Sequence, residues 1–215
     1  AARGGELDDV ARRLGEAGLD ALHFEGPGTD LVVGLFPDGQ WETAGGETVD
    51  GIRHMANLPS EEVFTSPDPA RTEGVVASTR PLALFDGPIV DGLVVRFEHG
   101  RAVEITADEG GEILRGRAAL DDGAARLGEV ALVDRESRIG RLGTTFLDTL
   151  LDENAVSHIA LGDGDPSLVR EDDRSSVNAS VTHIDFMIGG DDVDVTGVTR
   201  DGSRVPVLRG GSWQL

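Results

Sequence analysis

Residues 73–107 read EGVVASTRPLALFDGPIVDGLVVRFEHGRAVEITA, and this stretch decides the fold class. Its apolar, β-branched runs EGVVAST, PIVDGLVVRFEHG and RAVEITA predict successive strands, with Glu98-His99-Gly100 as a hairpin turn. Towards the N-terminus, ALHFEG at 21–26 and DLVVGLF at 30–36 flank a Gly-Pro-Gly turn signal and predict a second strand pair. Before them, Leu7, Val10, Ala11, Leu14 and Leu19 recur close to every 3.6 residues, which predicts an amphipathic helix over 7–18 ending near Gly18. The stretch NLPSEEVFTSPDP at 57–69, framed by three prolines, reads as a loop. Towards the C-terminus, 109–120 and 141–151 have helical spacing, with Thr144 or Thr145 as a cap for the second. EVALV at 129–133, HIDFMIG at 183–189 and DVDVTGV at 192–198 are strand-like, a Gly189-Gly190-Asp191 turn joins the last two, and VPVLRGGSW closes the chain as an edge strand. The expected class is α+β, a largely antiparallel β-sheet with a few short helices, in one domain over 1–215.

Composition narrows the chemistry. The 215 residues include 40 Asp or Glu and 19 Arg but no Lys, for a net charge of −21. Such a surface repels nucleic-acid phosphates and anionic lipids, so neither is an expected partner. No apolar run approaches the roughly 18 residues of a membrane span, and no signal segment is visible. The absence of Cys excludes thiol nucleophiles, zinc ribbons and iron–sulfur clusters. Complete replacement of Lys by Arg fits a GC-rich coding bias, and the carboxylate excess fits a high-salt cytoplasm. Tyr is absent as well, so the available reactive groups are His, Asp, Glu, Ser and Arg.

Among five histidines, His23 lies in an apolar run and reads as a half-buried strand position. His99 sits at a turn and reads as solvated, and His54 has no pattern around it. His183-Ile184-Asp185-Phe186 is different. On a strand, successive side chains point to opposite faces, so His183 and Asp185 share one face while Ile184 and Phe186 enter the core. An imidazole beside a carboxylate is half of a divalent-metal site. Glu129 begins an otherwise apolar strand, which is costly unless the carboxylate stays wet, is paired or binds metal. Glu61 and Glu62 are adjacent carboxylates in the Pro-framed loop, a like-charge pair that a cation would relieve. His158 lies in LDENAVSHIALG, and on a short helix from Asn154 it would pack with its apolar neighbours. Two imidazoles and several carboxylates suit Zn²⁺, Co²⁺ or Mn²⁺, and a carboxylate-rich set suits two ions.

The blocks NLPSEEVFTSPDP, GLVVRFEHGR, RLGEVALV, LLDENAVSHIALG, VTHIDFMIGG and VPVLRGGSW, in this order, resemble the aminopeptidase T/aminopeptidase S family of metal-dependent leucyl aminopeptidases. The resemblance runs from about Leu19 to Leu215 and matches the family's C-terminal catalytic half, without its N-terminal domain. It implies a cytoplasmic, homodimeric exopeptidase that uses two divalent metal ions to remove N-terminal residues from peptide substrates. Carried across by position, it implies metal ligands at Glu62, Glu129, His158, His183 and Asp185. Glu61, adjacent to one of these, reads from that adjacency as a general base for a metal-bound water or, alternatively, as a support that orients its neighbour. The family carries a tyrosine seven residues after the first of these histidines, whereas this chain has Asp165. A phenol donates a hydrogen bond to a developing oxyanion and an ionised Asp does not. The alternative to the enzyme is therefore a module that holds metal or peptide with little hydrolysis.

Overall fold

The computed structural model describes residues 2–215. Helix α1 (Ala2–Glu16) leads into the pair β1 (Leu19–Gly26) and β2 (Thr29–Leu35), a small ribbon of β3 (Gly45–Glu47) and β4 (Arg53–Met55), then β5 (Val63–Thr65) and the long β6 (Pro67–Ala77). A second ribbon, β7 (Leu82–Ala83) and β8 (Ile89–Val90), precedes the hairpin of β9 (Val94–Glu98) and β10 (Arg101–Thr106). Next come α2 (Gly111–Arg117), β11 (Leu127–Leu132), α3 (Thr149–Glu153), β12 (His158–Gly162) and β13 (His183–Met187). The chain closes with β14 (Asp194–Thr199), β15 (Arg204–Arg209) and β16 (Ser212–Trp213).

Two antiparallel sheets carry the architecture, one of eight strands in the order β10-β9-β6-β2-β1-β14-β15-β16 and one of four in the order β13-β12-β11-β5. They share a single large core. Phe24, Val33 and Phe97 come from the larger sheet, Val130, Ile159 and Phe186 from the smaller, and Leu7 and Leu14 from α1. The α+β class expected from the sequence is the one observed, and the turn at His99-Gly100 joins β9 to β10.

Several local expectations change for identifiable reasons. Helix α1 starts five residues before Leu7, over the helix-weak pair Gly4-Gly5. Arg3 is anchored there by ion pairs to Glu61 and Asp134, so tertiary contacts extend the helix. The Pro-framed stretch 57–69 is not all loop. Its Val63–Thr65 pairs with β11, and Pro67 opens β6, a position where a missing N–H costs little. Over 141–151 a short 3₁₀ turn at Gly140–Leu142 ends on Gly143, and α3 forms separately. Asp148, not Thr144 or Thr145, caps α3 by accepting the Leu151 N–H at 3.1 Å. The Gly189-Gly190-Asp191 segment does not make a hairpin, because β13 and β14 belong to different sheets. Gly189 passes so close to Ser157 that a Cβ would lie 2.6 Å from its backbone nitrogen. Among the described residues, no helix is long and apolar enough to cross a membrane.

Candidate metal centre

The small sheet aims its side chains by register. Ala160 of β12 stands opposite Glu129 of β11 on one side and opposite Asp185 of β13 on the other. Directly opposed residues share a face, and residues two apart on one strand do too. Glu129, Asp185, His158 and His183 therefore project from the same side of the sheet. The floor beneath them is kept low by Ala160 and Gly162. Gly162 has no room for a side chain, since a Cβ would lie 1.9 Å from the Thr182 carbonyl oxygen, and its φ of +111° is glycine territory. His158 is not on a helix from Asn154. Helix α3 stops at Glu153, and His158 opens a fully buried strand. Glu62 enters from the residue just before β5, which pairs with the far edge of β11.

Five ligand-type side chains from four segments thus meet. Glu62 Oε2 lies 3.1 Å and Glu129 Oε1 3.3 Å from His158 Nε2, and His183 Nε2 lies 3.2 Å from Asp185 Oδ1. Two groups result, Glu62–Glu129–His158 and Glu129–His183–Asp185, each with ligand atoms within 4.8 Å of one another. Glu129 belongs to both. His183 Nδ1 faces the Asp163 carbonyl at 2.8 Å, and His158 Nδ1 faces the Val156 carbonyl at 3.4 Å. Each ring is thereby oriented by a backbone oxygen and offers Nε2 to the carboxylates, as metal-binding histidines are held.

The electrostatics of the cluster are those of acids gathered without a guanidinium. Among the described residues, neither Glu62 nor Glu129 has an arginine within ion-pair distance. Burial alone would depress the basicity of His158, but its hydrogen bonds to Glu129 and Glu62 outweigh that and hold its pKa well above the ordinary 6.5. Burial likewise opposes protonation of His183, and its hydrogen bond to Asp185 wins, raising it to about 9. Asp185 is held low by that hydrogen bond and by both imidazoles, against its own burial. The imidazolium protons occupy the role of a cation here, and the donor set fits a divalent ion in their place.

Glu61 is outside both groups. Its side chain is 0% exposed, Arg3 Nε donates to one oxygen at 2.7 Å, Arg138 holds the other, and its backbone N–H donates to Asn154 Oδ1 at 2.7 Å. Glu153 belongs to no recognisable motif. Desolvation pushes its carboxyl up to about 8, opposed by His158 and reinforced by Asp185, Glu62 and Glu129, so it feels the whole cluster. Its only sequence signal was its place in the Asp152-Glu153-Asn154 run. Asp165, where the family tyrosine would align, is exposed and accepts the Ser167 N–H at 2.8 Å as the cap of a 3₁₀ turn.

Residues 2–213 match the model of a family described as thermophilic metalloprotease (M29). The chain belongs to that M29 family. Relatives agree. It is 49% identical over 209 residues to aminopeptidase T of Thermus aquaticus, covering 94% of this chain and 51% of that protein. It is 42% identical over 217 residues to aminopeptidase PepS of Streptococcus thermophilus, covering 97% and 52%. The solved structure of wild-type AmpT from Thermus thermophilus superposes with a TM-score of 0.94 at 45% identity, covering 100% of this chain and 54% of that one. This M29 chain therefore spans about half the length of the relatives it matches. A 2,5-dihydroxypyridine dioxygenase from Pseudomonas putida KT2440 shares the fold alone, with a TM-score of 0.62 at 16% identity, covering 99% of this chain and 61% of that one.

Proposed function

We propose that this chain is the catalytic region of a metal-dependent aminopeptidase that hydrolyses the first peptide bond of peptide substrates. The observation that carries the reading is Glu129, one carboxylate shared by two His/carboxylate groups in a member of a metalloprotease family. Glu62, Glu129 and His158 would hold one divalent ion, and Glu129, His183 and Asp185 a second, with Zn²⁺, Co²⁺ and Mn²⁺ all suited to the donors. Such ions, when bound, lower the pKa of water and polarise a carbonyl.

The chain's own residues supply the rest. Asp163 and Val156 carbonyls fix the imidazole tautomers. Glu153, a partly buried carboxyl that feels His158 and the cluster's carboxylates, is the residue we assign to relay protons near the cluster. Glu61, with both oxygens engaged by arginines, serves as the anchor of the loop that presents Glu62, which favours the supporting role over the general-base role that its adjacency to Glu62 suggested. The test is turnover of leucyl-p-nitroanilide with added Co²⁺ or Zn²⁺, with metals counted per chain and Glu62→Gln as control. Absence of turnover at full occupancy would overturn the enzyme.

One observation favours a second reading, a module that holds metal or peptide without hydrolysis. Asp165 is spent on a local cap and brings no oxyanion donor. Loss of one such donor costs on the order of 10²–10³ in rate in other enzymes. Metal bound at two ions per chain with no hydrolysis would select it.

A further inference from the structure

A cavity of about 530 Å³ opens from the metal centre, and His183 and Asp185 form part of its wall. Its lining also includes the apolar Leu147, Leu150 and Phe85 and one arginine, Arg117, the last residue of α2. Phe85 and Leu147 leave their rings and methyls in solvent, as at the open mouth of a binding cleft. Arg117 is only partly used. Its Nη2 donates to Asp86 at 2.5 Å, whereas its Nε is buried and, among the described residues, has no hydrogen-bond partner. The Arg117 side chain is still 32% exposed, and an incoming carboxylate would pair with the part of the guanidinium that Asp86 leaves open. In a chain of net charge −21, a cation facing a cavity is also the feature best able to draw in an anion.

The geometry points to Arg117 as the seat of a substrate carboxylate, the C-terminal carboxylate of a di- or tripeptide whose first peptide bond lies at the metal centre. This deepens the aminopeptidase reading and rests on it. A peptide advances roughly 3.3–3.6 Å per residue, and a di- or tripeptide entering the cavity shared by His183, Asp185 and Arg117 would set its side chains against Leu147, Leu150 and Phe85. Asp86 competes for the same guanidinium, so it tunes the seat. Arg117 thereby makes the chain a short-peptide exopeptidase, choosing substrates by the free carboxylate at their far end.

The test compares Leu-Gly with Leu-Gly-amide in wild type, Arg117→Met, Arg117→Lys and Asp86→Ser. Wild type is expected to show a KM for Leu-Gly about tenfold or more below that for the amide, as a charge-assisted pair gives. Arg117→Met brings the ratio near one, Arg117→Lys restores part of it, and Asp86→Ser lowers the Leu-Gly KM. Leu-Glu-amide distinguishes an acidic side chain from the terminal carboxylate. Preference for it over Leu-Gly would overturn the terminal-carboxylate assignment. Titration calorimetry on chelator-treated protein separates the two levels of the claim. Loss of Leu-Gly binding in Arg117→Met without any turnover in wild type would sustain the seat and sink the enzyme. Hydrolysis in wild type with equal KM for Leu-Gly and its amide would do the reverse.

Discussion

Replacing Arg3 by Met removes one guanidinium from two buried carboxylates at once. Arg3 Nε donates to Glu61 at 2.7 Å and Nη2 to Asp134 at 2.8 Å, and those side chains are 0% and 5% exposed. Breaking a buried ion pair by deleting one partner costs about 3–5 kcal/mol, because a charge is left uncompensated. The lower end applies here. Arg138 remains on Glu61, and the Trp213 indole N–H still donates to Asp134 at 2.8 Å. In a chain of this length each kcal/mol shifts the melting temperature by about 2–4 °C, so ~3 kcal/mol predicts a drop of about 6–12 °C. The assay is calorimetric melting of chelator-treated protein in molar salt, which damps the surface charge repulsion and leaves the buried pairs. A double variant, Arg3→Met with Glu61→Gln, is expected to lose less than the sum of the single losses, because the two groups act on each other. The drop should be joined by weaker cation binding, since the freed carboxylate no longer fixes the loop that carries Glu62. A shift under about 2 °C, or strict additivity in the double variant, would refute the view that this ion-pair network clamps the loop.

Glu129→Gln is expected to reduce bound Zn²⁺ from two ions towards none, whereas Glu62→Gln should spare the ion at His183 and Asp185, and metal analysis after dialysis separates the outcomes. In the metal-free chain, the folded pKa of His183 is raised from 6.5 to about 9 and that of Glu153 from 4.5 to about 8. Each group is held protonated by the fold, so its stabilisation is complete below its ordinary value and is lost as pH rises through about 9 and about 8 respectively. Melting temperature should therefore fall between pH 6 and 9.5 without metal, and cation affinity should rise over the same range as protons leave the imidazole. A flat profile in the metal-free protein would contradict this. With a net charge of −21, stability should also rise from low to molar salt as carboxylate repulsion is screened, and an unchanged melting temperature would count against that.

Some of the site was legible because strand geometry has a period of two. His183 and Asp185 could be placed on one face from five letters, and Ile184 and Phe186 are buried on the other. Glu129 announced itself as a charge at the head of an apolar strand. His158 did not. Its neighbours Ala155, Val156, Ile159 and Leu161 suit a short helix as well as a buried strand, and only long-range pairing with β11 and β13 decides between them. The Glu61 clamp was out of reach for the same reason, its arginines lying 58 and 77 residues away. Glu153 was hidden by its company, since carboxylates beside a helix end normally stay in water and nothing local reveals that this one is partly buried.

The two kinds of information meet in the small sheet. Each metal-type residue on it alternates with a core residue, so the pairing that buries Val130, Ile159 and Phe186 is also what brings Glu129, His158 and Asp185 together. A one-residue slip would turn every one of these side chains to the wrong face. The hydrophobic face resists such a slip strongly, and the acidic face alone would favour one, because it gathers like charges. Burial of the apolar side thus holds in place a cluster that repels itself until protons or cations arrive. That division of labour explains why the ligands can be scattered over more than a hundred residues and still meet within hydrogen-bonding distance.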